Sequence, residues 1–143
     1  DSLKKRLGAN GSVKKFDIDN NIFFTQKDVR EVQLAKSAVH AGITILLKEK
    51  GINFSDVENV FIAGGFGNFM NIESALNIGL IPREFSGKVK SIGNSAGIGA
   101  RMCLLSKTLR DELEDIIEKT SYVELSGRKD FQDHFVDSMM FGG

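Results

Sequence analysis

The sequence contains a single cysteine, Cys103, in 143 residues. One thiol cannot form a disulfide within the chain, and it cannot supply the several thiolates that hold an iron–sulfur cluster. So little cysteine is typical of a protein in a reducing compartment, and we expect a cytoplasmic location. The two histidines, His40 and His134, lie far apart without the spacing of zinc ligands, so we expect no metal site in this chain.

The sequence also has no excess of charge of either sign. It contains 19 basic and 19 acidic residues, and its net charge is zero. We therefore expect neither a nucleic acid nor an anionic membrane as partner. No apolar run approaches the roughly 20 residues that span a bilayer. The charged segment at residues 3–6 is not followed by the apolar stretch of a secretory signal peptide.

The remaining composition is that of an ordinary globular domain. Apolar residues make up 41% of the chain and charged residues 27%, and the length suffices for one domain with a core. The chain starts with Asp1, and the pattern of residues 2–7 is typical of a helix already under way. We therefore expect residues 1–143 to form a single domain that belongs to a longer protein.

Helical periodicity alternates with short apolar runs along the chain. A helix is predicted from an N-cap at Thr25 to a glycine end at Gly51, because apolar residues recur there at helical spacing. Alternation of helices and strands indicates an α/β fold. The other predictions are turns at 8–12 and 19–21, strands at 13–18, 57–63, 88–92 and 122–125, a lead into the long helix at 22–24, and helices at 71–76, 101–106, 109–119 and 131–139.

The most informative motif is Gly64-Gly65-Phe66-Gly67, which follows an apolar run and precedes Asn68. Glycines let the main chain turn sharply and let a ligand lie against it. Open α/β sheets bind ligands at the carboxyl ends of their strands. The motif matches neither the dinucleotide fingerprint nor the P-loop. A tight turn that serves packing alone explains the local sequence equally well.

A second glycine-rich turn, from Gly93 to Gly99, again follows a predicted strand and opens a helix. Asn94 or Ser95 can cap that helix, and its free N–H groups can meet a polar ligand. Gly97 permits close approach of a ligand or of a neighbouring element. Close packing of the helix on the sheet is the alternative. If the two strands are parallel, both turns open on the same edge of the sheet.

Other candidate groups are better explained as structural. Gln33 and Lys36 share one face of the long helix, where a solvated surface is the favoured interpretation. His40 fits a core or interface position, and His134 fits surface ion pairing. The acidic residues of the 109–119 helix fit a solvated face. The spacing of serine, histidine and aspartate assigns no catalytic set, so the catalytic residues stay unknown.

Three separated motifs in order give a specific resemblance. These are residues 25–36 (TQKDVREVQLAK), 61–68 (FIAGGFGN) and 92–100 (IGNSAGIGA). Together they resemble the C-terminal part of the reductive activators of corrinoid proteins, over nearly the whole chain. The resemblance implies a ribonuclease-H-like subdomain of the fold shared by actin, sugar kinases and heat-shock chaperone ATPases, with a short mixed sheet flanked by helices.

The resemblance also implies the positions of a nucleotide site. The adenosine-binding motif of that superfamily, an apolar strand that ends in two glycines, falls on Ile62 and the glycine turn after it. The implied binding residues are Gly64, Gly65, Phe66, Gly67 and Asn68, with Asn94, Ser95 and Gly97 nearby. Phe66 and Asn68 would flank the base or the ribose, and the helix from Thr25 would form a wall of the cleft.

In such proteins ATP hydrolysis drives the reduction of a Co(II) corrinoid protein to Co(I). An N-terminal [2Fe–2S] ferredoxin-like domain supplies the electron. The phosphate loops and the acids that hold Mg²⁺ should precede residue 1, and the ferredoxin cysteines are absent here. This chain alone is therefore expected to be inactive and to bind ATP weakly.

Two alternatives stay open at this stage. The chain could be a docking or dimerisation module, through the second apolar stripe of the 25–50 helix and the phenylalanines at 131, 135 and 141. The longer protein could also activate another metalloenzyme, because the sequence holds no readable code for the partner.

Overall fold

The computed structural model describes residues 7–10 and 13–141. Strands β1 (Leu7–Asn10), β2 (Val13–Asp19) and β3 (Ile22–Thr25) form an antiparallel sheet in that order. The turn between β2 and β3 is confirmed, and Asn21 adopts a φ of 65° there, a conformation that Asn tolerates better than most residues. The turn returns the chain to pair with β2, which is why residues 22–24 form a strand instead of a lead into the helix.

The prediction of a turn at residues 8–12 is wrong for residues 8–10. These residues pair with β2, with Gly8 opposite Lys15 and Ala9 opposite Lys14. Small residues concealed the strand, since strand propensity reflects the packing of side chains on the sheet more than the backbone itself. Residues 11–12 lie outside the described part of the chain.

Helix α1 (Gln26–Lys50) begins and ends as the sequence predicts. Thr25 Oγ1 accepts a hydrogen bond from the Asp28 N–H, and the Asp28 carboxylate accepts one from the Thr25 N–H, at 2.8 Å. This reciprocal pair satisfies two amides that the helix itself leaves free. Gly51, with a φ of 66°, ends the helix in the left-handed conformation.

The second sheet consists of two parallel strands, β4 (Val60–Ala63) and β5 (Val89–Gly93). The helices α2 (Gly64–Phe69) and α3 (Ile72–Asn77) lie between them in sequence. The Asn71 side chain accepts a hydrogen bond from the Ser74 N–H and caps α3, as predicted. Strand β4 is shorter than predicted, since it begins at Val60 and residues 57–59 join it to a 3₁₀ turn at Phe54–Asp56. The described residues thus form two short sheets with flanking helices, and the α/β class is confirmed.

The main core lies between α1, the β4–β5 pair and α3. Ala75, Ile81 and Phe85 are buried at its centre. The rings of Phe54 and Phe85 have centroids 5.6 Å apart, within the range of favourable aromatic pairs. Half-buried apolar residues from α1, both strands, α3 and the connecting segments pack against it, among them Ile43, Leu47, Val57, Val60, Ile62, Met70, Leu76, Leu80 and Val89.

Helices α4 (Ser95–Leu105), α5 (Lys107–Lys119) and α6 (Lys129–Asp137) complete the chain. The predicted strand at residues 122–125 is wrong. Residues 122–125 pair with no strand in the described part of the chain, and the Glu124 side chain accepts hydrogen bonds from the Tyr122 hydroxyl and the Ser126 N–H. In the ranges described here, no helix is both long and apolar enough to cross a membrane.

Helix α6 packs along α1. Arg128, just before α6, forms ion pairs with Glu49 at 2.7 Å and with Asp130 at 3.0 Å. Lys48 also pairs with Asp130, at 3.2 Å. The adjacent guanidinium holds the pKa of Asp130 well below its usual range. Two rings of α6, Phe131 and Phe135, are half-buried.

Candidate functional site

The parallel pairing of β4 and β5 places the two glycine-rich turns at the same edge of the sheet. Ala63, the last residue of β4, is paired with Gly93, the last residue of β5. The segments that follow, helix α2 from Gly64 and the Asn94 cap of α4, therefore begin side by side. This is the arrangement that the sequence predicts on the condition that the two strands are parallel.

The main chain at Gly64 and Gly65 is open. A Cβ atom built on either residue would have no heavy atom within 4 Å outside its own chain neighbourhood. Neighbouring core atoms therefore do not fill this corner. Gly64 has a φ of 76°, which favours glycine for conformational reasons as well. Packing explains neither the absence of a side chain at Gly65 nor the open space above it.

Gly67 has a different role. A Cβ atom on this residue would lie 2.5 Å from the main-chain oxygen of Ile62, closer than real contacts allow. The Ser91 hydroxyl donates a hydrogen bond to the Gly67 carbonyl and so joins α2 to β5. Gly67 is thus required for packing. The sequence did not single out Ser91, because a hydroxyl beside Lys90 in a short strand is no distinctive signal.

Asn68 links the two turns. Its Oδ1 atom lies 3.6 Å from the position that a Cβ of Gly93 would occupy. The Asn68 side chain is exposed and can offer both a donor and an acceptor beside the open glycines. The side chain of Phe66 lies outside the described residues.

In the second turn the predicted residues serve the start of α4. The Asn94 Oδ1 atom accepts a hydrogen bond from the Gly97 N–H at 3.0 Å, which confirms Asn94 as the N-cap. The helix therefore begins at Ser95, earlier than the predicted 101. A Cβ on Gly97 would lie 2.7 Å from the Asn94 amide nitrogen. The absence of a side chain at Gly97 is thus explained by its own cap, and Ser95 is half-buried next to it.

An apolar groove of about 580 Å³ separates α1 from β4. All four residues of β4 line it, which places it along the edge of the strand, since alternate side chains point to opposite faces. Val32, Lys36 and Val39 line the opposite wall on α1. The lining ends at Ala63, directly before the open glycines. Helix α1 therefore faces the strand that leads into the glycine corner.

Lys36 is buried, with 3% of its surface exposed, so the predicted solvated position is wrong. Its ammonium donates hydrogen bonds to the main-chain carbonyls of Ser138 and Met140, at 2.6 and 2.7 Å. The Phe141 ring centroid lies 5.4 Å from the same nitrogen. Burial lowers the pKa of Lys36. Only the tertiary fold brings the chain after α6 over this lysine.

His40, one turn after Lys36, occupies the interface position that the sequence predicts. Its Nδ1 atom lies 3.2 Å from the Ser138 hydroxyl. Burial lowers the pKa of His40, the Lys36 and His134 charges lower it further, and Glu84 opposes them. The contact between His40 and Ser138 joins α1 to the residue that follows α6.

The acidic residues of α5 are exposed, in agreement with the predicted solvated face. Cys103 is half-buried, and its thiol is free. Across residues 7–10 and 13–141, no three His, Cys, Asp or Glu side chains are placed to hold a metal ion together.

Comparisons with known proteins place this geometry in a family. Residues 8–143 match the family model described as the C-terminal domain of RACo, the ASKHA domain. A solved structure, the reductive activator for corrinoid, iron–sulfur protein, superimposes with a TM-score of 0.82 at 33% identity. The superposition covers 96% of this chain and 23% of that one. The fold expected from the resemblance is thereby confirmed.

Two curated relatives agree with this assignment. The corrinoid activation enzyme RamQ of Eubacterium limosum is 43% identical over 122 residues, which are 85% of this chain and 21% of that protein. The [Co(II) methylated amine-specific corrinoid protein] reductase of Methanosarcina barkeri is 30% identical over 105 residues, 73% of this chain and 19% of that protein. The chain spans about a fifth of the length of these relatives. It belongs to the family of RACo C-terminal ASKHA domains.

Proposed function

We propose that this chain is the C-terminal nucleotide-binding part of an ATP-dependent reductive activator of a corrinoid protein. Two relatives are named for corrinoid activation and for reduction of a Co(II) corrinoid protein. In the proposed reaction, one electron from a [2Fe–2S] cluster in another part of the longer protein converts Co(II) to Co(I). Such a strongly reducing product suits the cytoplasm.

The observation that carries the nucleotide proposal is the open main chain at Gly64 and Gly65. A purine or a ribose can lie against backbone that carries no side chain, and a Cβ position on either glycine has no heavy atom within 4 Å beyond its own chain neighbourhood. Asn68 supplies a donor and an acceptor at the rim of the corner. Gly67 packs against the Ile62 main chain, and the Asn94 side chain caps α4. These two residues therefore shape the corner through contacts within the chain.

The two halves of the domain would supply different parts of the nucleotide site. ATP, when bound, would supply the free energy of hydrolysis, and Mg²⁺ and the phosphate-binding loops would come from the other half of the domain. The residues of this chain bind and orient the adenosine. Closure of the two halves on the nucleotide would then change the surface offered to the corrinoid protein, by favouring the closed state through differential affinity.

A single substitution tests the proposal. In the full-length protein, Gly65→Asp places a charged side chain at the open corner, where its Cβ has no heavy atom within 4 Å beyond its own chain neighbourhood. We expect at least a tenfold loss of ATP affinity, measured by equilibrium titration with a labelled ATP analogue. Gly127→Asp is the matched control, because Gly127 is equally open and lies just before α6. Unchanged affinity in a folded Gly65→Asp protein contradicts the proposal.

A second candidate function, docking or dimerisation, has its own observation. Helices α4 and α5 expose Leu104, Leu105 and Ile117 at 70–78% of their surface. The phenylalanines at 131 and 135, by contrast, are half-buried. Light scattering of the protein with and without ATP distinguishes the candidates. A dimer whose amount depends on protein concentration and not on ATP favours docking. The docking alternative requires no particular corrinoid partner.

A further inference from the structure

The ring of Phe69 is exposed to an unusual degree beside the glycine corner. Its exposed fraction is 91%, the highest among the large apolar side chains whose exposure the structure describes. Full burial of such a side chain contributes about 1.5–3 kcal/mol. Its neighbour Met70 is half-buried and contacts the core. The Met70 side chain therefore packs on the core, and the preceding Phe69 ring lies outside it.

Helix geometry relates this ring to the open main chain. Phe69 follows Gly65 by four residues within α2, and residues at this spacing lie on one face of a helix, about 5–6 Å apart. The Gly65 position on that face is empty. Bare backbone and an exposed aromatic ring thus adjoin each other on one surface. A planar group that rests on Gly65 would therefore lie beside the ring.

The position of α2 is fixed by groups on other faces. Gly67 presses on the Ile62 main chain and accepts a hydrogen bond from Ser91. The Asn68 side chain lies against Gly93. These contacts join α2 to both strands of the parallel sheet, so the face that carries Gly65 and Phe69 is held in place. The ring is offered to a ligand by a supported element.

We propose that Phe69 is the stacking residue for the base of the bound nucleotide, an inference that rests on the proposed nucleotide binding. The base lies over Gly65 with one face or edge against the Phe69 ring. Stacking on an aromatic ring tolerates any base, because every base has a π face. Phe69 therefore contributes affinity for the base and does not discriminate strongly between adenine and guanine.

The test uses the full-length protein with ATP, GTP and inorganic tripolyphosphate as probes. Phe69→Leu keeps apolar bulk and removes the ring. We expect it to weaken ATP and GTP binding by about 5- to 100-fold, the effect typical of losing one base–aromatic stack, and to leave tripolyphosphate binding unchanged. Phe69→Tyr should retain affinity within about threefold. Tyr122→Leu is the matched control, since Tyr122 is 84% exposed in the segment after α5.

The outcomes separate this inference from the proposal on which it rests. If the unmodified protein binds no ATP, nucleotide binding and the stacking role both fail. If it binds ATP and Phe69→Leu binds equally tightly, only the stacking role is overturned. Equal losses for ATP and tripolyphosphate, or a lower melting temperature of the nucleotide-free variant, would show that the ring packs on polypeptide and would also overturn the inference. Quenching of etheno-ATP fluorescence that depends on the Phe69 ring supports it directly.

Discussion

The Lys36 ammonium donates a 2.6 Å hydrogen bond to the main-chain carbonyl of Ser138, 102 residues away in sequence. Together with the second bond, to Met140, this contact gives a donor to the main-chain carbonyls of Ser138, the C-cap residue of α6, and of the turn that follows it. It ties the last described turn of the chain to the middle of α1.

Lys36→Met should lower the free energy of unfolding by about 1–3 kcal/mol, because the substitution keeps the apolar stem and leaves two part-buried carbonyls without their donor. The loss is measured by urea denaturation at neutral pH. Lys27→Met, at an exposed position in the first turn of the same helix, is the control and should change stability by less than about 0.5 kcal/mol. Equal effects of the two substitutions would contradict the role of Lys36.

The stability of the α1–α6 contact should depend on His40 protonation. The pKa of His40 is lower in the folded protein than its ordinary value of about 6.5, with burial as the main cause. The stabilising contribution is therefore complete above that value and is lost as the pH falls through the lowered folded pKa. Denaturation between pH 7.5 and 5 should show a decline in the unmodified protein and a smaller decline in His40→Gln. Parallel curves would exclude His40 as the source.

Gly42→Ala should stabilise the protein by about 0.5–1 kcal/mol. Gly42 is buried within α1, where glycine is less favourable than alanine by about that amount. A Cβ there would lie 3.6 Å from Leu125 Cδ1, an ordinary van der Waals contact. Thermal denaturation measures the gain. Gly42→Leu is the comparison, because its larger side chain has no room beside Leu125 and should destabilise the fold.

Gly67→Ala should destabilise the protein, because its Cβ would meet the Ile62 main-chain oxygen at 2.5 Å and backbone cannot move aside cheaply. We expect a loss of about 1–3 kcal/mol, typical of overpacking. Gly65→Ala, two residues earlier, should leave stability within about 0.5 kcal/mol because the space there is open. A neutral Gly67→Ala would show that this glycine is not required for packing.

Local signals in the sequence predicted much of the fold. The Thr25–Asp28 capping pair and the left-handed Gly51 bound α1 as expected, since both act within a few residues of the chain. Local signals predicted a strand at residues 122–125, where the structure has none. The apolar alternation of this segment is typical of a strand, but strand formation requires a partner edge, and the partner is a property of the tertiary structure.

The glycine motifs show the same division at the site. The sequence shows that each motif follows a strand. The parallel pairing of β4 and β5, which brings the motifs together, is seen only in the structure. The sequence did not distinguish the open Gly64 and Gly65 from Gly67, which is confined by Ile62, or from Gly97, which is confined by its own cap. The space around a glycine depends on distant atoms.

By itself the sequence determined the ends of helices, the glycine-rich turns and the family, because these depend on contiguous residues and their spacing. The tertiary structure alone decided which glycines face open space, that Lys36 is buried under the chain after α6, and that Phe69 stays outside the core. Burial and free space are set by residues far apart in the chain, and no local pattern encodes them.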